Sequence, residues 1–226
     1  MTQYYDNIEP ILVSVDCIVF GFDEGKLKLL IGKRKLDPGI GQWSLYGGFV
    51  RPNESLHEAA ERTLNELTGL DNMYLTHVGT YGKIDRDPGE RVISVAYCAL
   101  INVSDYSEAR QKEYGVEWVN VDTLPQLYSD HGKMVNDALA KLRRHISNEP
   151  LCFNLLPELF TLTQLQLLYE AILGEEIDKR NFRKRIKGVP SIQKTEFIDK
   201  NTSKRGAYLY RFSESGFIKD AKFVLK

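Results

Sequence analysis

The chain has 226 residues, 42% of them hydrophobic and 11% aromatic, and a net charge of −1. That length suits one large domain or two modest ones, and the composition excludes a disordered chain. No apolar run approaches the roughly 18 residues of a membrane span, and the opening MTQYYDNIEP lacks the basic and apolar regions of a signal peptide, so a cytoplasmic protein without membrane contact is expected.

Residues 11–22 and 26–35 read as two strands around the turn Asp23-Glu24-Gly25. A loop at 39–42 leads into a short strand, Trp43-Ser44-Leu45-Tyr46. Residues 55–68 read as a helix, capped by Asn53 or Ser55, with an apolar stripe of Leu56, Ala59, Ala60, Leu64 and Leu67 and a stop at Gly69. Strands follow at 73–82 and 91–102; the second is nearly all apolar and should lie centrally. The charged segment IDRDPGER joins them. GVEWVNVDTLP reads as a strand and turn, and 131–146 as an amphipathic helix. This mixture of strands with an early and a late helix fits an α+β sandwich of helices on a sheet.

The pattern changes near residues 147–155, which divides the chain into 1–148 and 149–226. The charge divides there too: residues 151–226 hold 14 Lys+Arg against 9 Asp+Glu, a net of +5, and residues 1–150 hold 16 against 22, a net of −6. Different partners are implied for the two parts. Thr161-Leu162-Thr163-Gln164 is a capping box opening a helix to about Leu173. Gly174 ends it, and a second helix runs from Asp178 to about Lys187. Strands at 191–198 and 207–212 flank a hairpin, 201–206. Two helices on a tight turn followed by a hairpin make a winged helix-turn-helix.

In the second of these helices, Lys179, Arg180, Arg183, Lys184, Arg185 and Lys187 crowd together, while Phe182 and Ile186, four apart, should face a core. Asn181, Lys184 and Arg185, with Arg180, are left for a DNA groove. Arg reads guanine and Asn reads adenine through paired hydrogen bonds, whereas Lys holds phosphate. Thr163 and Gln164, at a helix N-terminus, can cap that helix or hold a backbone phosphate. Lys204 and Arg205 at the hairpin tip suit a wing on the phosphates or minor groove. Cys17, Cys98 and Cys152, an odd count without C-x-x-C, are expected as buried small hydrophobes. The four histidines show no metal-ligand spacing.

Gly48, Glu54, Arg62, Leu64, Glu66, Gly69 and Leu70 fit the pyrophosphate-hydrolase box of Nudix hydrolases, G-x5-E-x7-R-E-U-x-E-E-x-G-U, where U is a bulky aliphatic. Thr63 and Leu67 stand where that box has Glu. Mg²⁺ wants several oxygen ligands, so the loss leaves a poor metal site and argues for binding without catalysis: no enzyme, no metal, no cofactor. Arg62 is four residues from both Glu58 and Glu66 and is expected to form an ion-pair ladder with them.

Taken together, the degenerate box, the segment 84–97 and the segment 160–186 resemble the Nudix-related transcriptional regulators of bacteria, in which a Nudix-like α/β/α sandwich precedes a winged helix-turn-helix. The resemblance covers nearly the whole chain. It implies a homodimer on a palindromic operator, acting as a repressor relieved by a small effector. One branch of the family senses ADP-ribose or related nucleotides and controls NAD metabolism. Another senses L-arabinose and controls its utilisation genes, and the missing acids favour L-arabinose here, with ADP-ribose as the alternative. A third reading, of another class, is an active Nudix pyrophosphohydrolase with a DNA-binding tail. Trp43, Tyr46, Phe49 and Tyr81 are the candidate aromatic lining of the effector pocket. Tyr46 stands where many Nudix proteins have Pro, and is expected to narrow the cleft to the size of a monosaccharide. The resemblance places the polar loop of Asp85, Arg86, Asp87, Glu90 and Arg91 near the effector, where hydroxyl-rich ligands need convergent donors and acceptors.

Overall fold

A computed structural model describes residues 9–148, 153–200 and 206–213. Its centre is a mixed sheet of seven strands: β1 (Leu12–Asp23), β2 (Lys26–Lys33), β3 (Trp43–Ser44), β4 (Tyr46–Phe49), β5 (Thr76–Tyr81), β6 (Val92–Asn102) and β7 (Val116–Asn120). The main order is β3-β2-β1-β6-β5, with β4 pairing with β1 and β7 with β2. β1 and β6 run parallel over Leu12–Val92 to Phe22–Asn102, and both are buried on two faces, which explains their near-continuous apolar sequence.

Alternation along β1 sorts its side chains between two cores. Val15, Cys17 and Val19 face helix α1 (Leu56–Thr68), with Ala59, Ala60 and Leu64. Ile18, Phe20 and Phe22 face helix α3 (His131–Asn148), with Met134, Val135 and Ala138. Ser55, not Asn53, caps α1: its hydroxyl accepts from Glu58 N, and the Glu58 carboxylate accepts from Ser55 N. Gly69 ends the helix in a left-handed conformation (φ 71°) that a side chain would strain. A helix absent from the sequence reading, α2 (Glu108–Tyr114), has no buried residue and therefore no apolar stripe to betray it.

The second part is a helix pair on a small sheet: β8 (Phe160–Thr161), α4 (Leu162–Leu173), α5 (Lys179–Ile186), β9 (Ile192–Asp199) and β10 (Ala207–Phe212), with sheet order β8-β10-β9. Thr161 and Gln164 form the expected capping box. Phe182 and Ile186 are 2% and 1% exposed, and the Phe182 ring packs edge-on against Tyr169 at 5.5 Å. The α3-side core continues without a break into this part through Leu155, Leu156, Leu165, Leu168 and Ile172. Arg143 on α3 donates to the carbonyl of Ile172 on α4 at 2.7 Å.

Candidate functional site

The box residues are held by arginines. Arg62 pairs with Glu54 through two contacts, Nε–Oε2 2.8 Å and Nη2–Oε1 2.6 Å, and its Nη1 meets Glu66 Oε2 at 3.1 Å. Arg51 Nη2 reaches the other Glu66 oxygen at 3.2 Å, and Arg51 N donates to Glu54 Oε1 at 2.8 Å. The Arg62 hydrogen bonds hold the Glu54 carboxyl down to about 2. The expected Glu58–Arg62 pair is replaced by Glu54–Arg62, because the helix cap takes the Glu58 carboxylate. Thr63 is buried, its hydroxyl pressed where a Cβ on Gly48 would come within 2.6 Å. Among the described residues, no cluster of three or more His, Cys, Asp or Glu side chains could hold a metal ion.

A second polar centre lies on the α3 side of the sheet. Asp16 (β1) points inward there, accepts from Ser94 Oγ (β6), and would collide with any Cβ on Gly47 (β4). Arg86 reaches in from the 82–91 loop. It is 7% exposed, binds Asp130 through Nε at 3.0 Å and Nη2 at 2.9 Å, and lies 3.6 Å from Asp16 Oδ2. Ser129 donates to the Arg86 carbonyl, so residues 129–130 hold the arginine at both backbone and side chain. His131, the first residue of α3, accepts from Leu45 N on Nδ1 at 3.1 Å, which leaves the proton on Nε2, 3.5 Å from Asp16 Oδ1. β1, β4, β6, the 82–91 loop and α3 thus converge on a cluster of buried, mutually paired polar groups, of which Asp130 borders a groove.

Burial holds the His131 pKa below its usual value; Asp16 and Asp130 oppose this, and Arg86 and Arg34 reinforce it. The folded protein therefore keeps the ring neutral, whereas the unfolded chain takes up a proton near pH ~6.5. Stability from this residue is full above that value and is lost as pH falls below it. Unfolding free energy should drop between pH 7 and pH 5. In His131→Asn, which keeps an acceptor for Leu45 N, the drop should be smaller; equal pH slopes for the two proteins in denaturant titrations would show that the ring does not act this way.

The residues expected to line a pocket have separate fates. Tyr46 is not a pocket residue: it is 6% exposed and packs in the α1-side core, because its register partner Cys17 faces that way. It therefore cannot narrow a ligand cleft. Phe49 is 55% exposed at the surface. Trp43 is half-buried under the Lys33 ammonium, 3.7 Å from its ring centroid. Tyr81 is buried and donates to Asp137 of α3 at 2.8 Å, lining a groove with Asp130 and Lys83 beside the polar centre. Asp85 is exposed and paired with Lys83, and Arg91 is spent on the carbonyls of Gly82 and Lys83. In that loop only Arg86 turns inward. Asp16, Ser94, Asp130 and His131 carried no local signal: 78 residues separate Asp16 from Ser94, and 44 separate Arg86 from Asp130.

On α5, Lys179, Arg180, Asn181, Lys184, Arg185 and Lys187 are exposed. Asp178 caps the helix through Asn181 N, and Arg183, Lys184 and Arg185 sit in its last turn, opposite the negative end of its dipole. Lys179, Arg180, Lys184 and Lys187 line one open basic depression. Arg183 departs from the exposed set: it is half-buried, and its Nη2 lies 3.3 Å from Thr163 Oγ1, tying α5 to the first turn of α4. Gln164 serves its own cap through Thr161 N at 2.8 Å. Lys204 and Arg205 lie outside the described residues.

Comparison with known proteins agrees with both halves. A family model of the NUDIX domain matches residues 10–138, and one described as the NrtR DNA-binding winged helix domain matches residues 152–212. The ADPR responsive transcriptional repressor NtrR of Acinetobacter baylyi is 36% identical over 218 residues, 94% of this chain and 87% of the relative. The crystal structure of Shewanella oneidensis NrtR complexed with a 27mer DNA has a TM-score of 0.81 and 27% identity, covering 93% of this chain and 97% of that one. The NUDIX domain of the same Shewanella protein, complexed with ADP ribose, has a TM-score of 0.51 and 27% identity, covering 62% of this chain and 94% of that one. This chain belongs to the NrtR family, regulators that join a NUDIX domain to a DNA-binding winged helix domain.

Proposed function

We propose that this protein is a transcriptional repressor whose NUDIX domain binds ADP-ribose without hydrolysing it. The observation that carries the non-catalytic half is the pinning of Glu54 and Glu66 by Arg51 and Arg62 in a box that already lacks acids at 63 and 67. The effector half rests on two relatives, the ADPR responsive repressor of Acinetobacter and the Shewanella NUDIX domain complexed with ADP ribose; L-arabinose has no support among the relatives, and the ADP-ribose alternative replaces it. The polar centre of Asp16, Arg86, Asp130 and His131 is the proposed effector site, with Tyr81 and Trp43 at its approaches. Missing box acids do not distinguish the ligands, since a nucleotide bound without metal needs donors and cations rather than carboxylates.

DNA contact is assigned to α5. Arg180, Asn181 and Arg185 supply base-reading chemistry; Lys179, Lys184 and Lys187 supply phosphate contacts, and Arg183 with Thr163 holds the helix pair in register. A homodimer with the domain boundary near residue 148 presents two such helices to a palindromic site. By linkage, ADP-ribose and operator weaken each other by one common factor.

Fluorescence anisotropy on the chain's own upstream DNA, at fixed salt, tests this. Micromolar ADP-ribose should release the protein and millimolar L-arabinose should not. Release by arabinose alone would reverse the effector assignment. Sustained Mg²⁺-dependent turnover of ADP-ribose would return the chain to the enzymes.

A further inference from the structure

Helix α3 and the sheet do not close on each other along their whole length. Beyond the polar centre, toward the winged helix, they leave a cavity of about 180 Å³. Its floor is Val78 of β5 with Cys98 and Leu100 of β6, and its wall is Ala138 and Leu142 of α3. Asn154, in the 3-10 turn that enters the second domain, closes one end. Two local features open the space. The β5–β6 register slips between His77 and Gly79, and at the facing position α3 offers only the methyl of Ala138.

The lining is apolar and the mouth is cationic. Burial pushes the Cys98 thiol up to about 12, which keeps that wall uncharged. Lys141 stands at the mouth, its ammonium 3.2 Å from the His77 carbonyl, and His145 lies one helical turn further along. Lys141 also borders the neighbouring groove, which adds Lys83, Lys133 and Arg144. The nearest carboxylate in that groove, Asp137, already accepts from Lys133 at 2.5 Å and from Tyr81 at 2.8 Å.

We propose that this cavity is a second small-molecule site, separate from the effector centre, for an organic anion with an apolar body: a medium-chain or aromatic carboxylate. The body lies on Val78, Cys98, Leu100 and Leu142, and the carboxylate meets Lys141. The charge complementarity fixes the class, since a cationic ligand would face the Lys141 ammonium and a neutral one would leave its charge uncompensated. The inference does not depend on ADP-ribose being the effector.

Calorimetric titration of the full chain with decanoate tests it, with decylamine as the control of opposite charge. One decanoate should bind per chain and decylamine should not. Lys141→Gln should weaken decanoate by about tenfold, the effect of one lost charge-assisted hydrogen bond. Ala138→Trp, which fills the space, should abolish binding; should that variant misfold, nuclear Overhauser contacts from the decanoate chain to the Ala138 and Leu142 methyls in the unaltered protein give the same answer. Absence of binding at millimolar decanoate, equal binding of decylamine, or missing contacts to those methyls would overturn the proposal. Competitive displacement of decanoate by ADP-ribose would overturn it too, by merging the cavity with the effector site.

Discussion

Arg86→Ala should lower stability by roughly 3–5 kcal/mol, because it leaves Asp16 and Asp130 facing each other without their cation. The side chains of Arg86 and Asp16 are 5% and 7% exposed, so water cannot replace the guanidinium. For a chain of this size that is a fall in melting temperature of roughly 10 °C. The double variant Arg86→Ala/Asp130→Ala should lose less than the sum of the single variants, since removing the cation matters less once one of its carboxylates has gone. Thermal unfolding of the four proteins closes the cycle. Strict additivity, or a shift under a degree for Arg86→Ala, would mean that the arginine is not the counter-ion its geometry indicates. The same residue is the inward-facing member of a loop otherwise tied to itself, so ADP-ribose affinity, measured at a temperature where the variant is folded, should fall with it.

Phe182→Ala and Lys184→Ala should separate the two things α5 does. Phe182 is 2% exposed and wedged against Tyr169, and its truncation opens a cavity worth roughly 3–5 kcal/mol. The winged helix then loses its packing, and operator binding goes with it at every salt concentration. Lys184 is exposed on the basic face and supports no core. Its loss should leave the melting temperature within a degree, weaken all DNA sequences alike, and reduce the slope of log affinity against log salt by about one. Anisotropy titrations at several salt concentrations, run beside thermal melts, distinguish these outcomes. A Lys184→Ala protein with an unchanged salt slope would remove α5 from the phosphate contacts assigned to it.

What the sequence disclosed follows from which interactions are local. The Thr161–Gln164 box, the Gly69 and Gly174 stops and the inward pair Phe182 and Ile186 are all set within a few residues, and each was legible; the α1 cap was narrowed to Asn53 or Ser55. Helix α2 was not, since a short helix without a buried face has no period to read. The buried polar centre was legible only at Arg86, and there by resemblance. Its other members come from β1, β6 and the start of α3, and only the parallel β1–β6 pairing brings them together. Tyr46 misled for a related reason: an aromatic before a glycine pair looks like a pocket wall until the register with Cys17 turns it toward α1.

The apolar core that runs from Phe20 through Leu155 to Ile192 gives the regulator a property of its own. A winged helix on a loose tether could drift through a continuum of orientations, and a ligand would shade its DNA affinity by degrees. Here any reorientation must expose Leu165, Leu168 or Ile172, or find them a new seat, and must break the Arg143–Ile172 contact. Intermediate orientations are therefore penalised, so any change of posture would come as a step, as in a latch, and not as a drift, as in a dial.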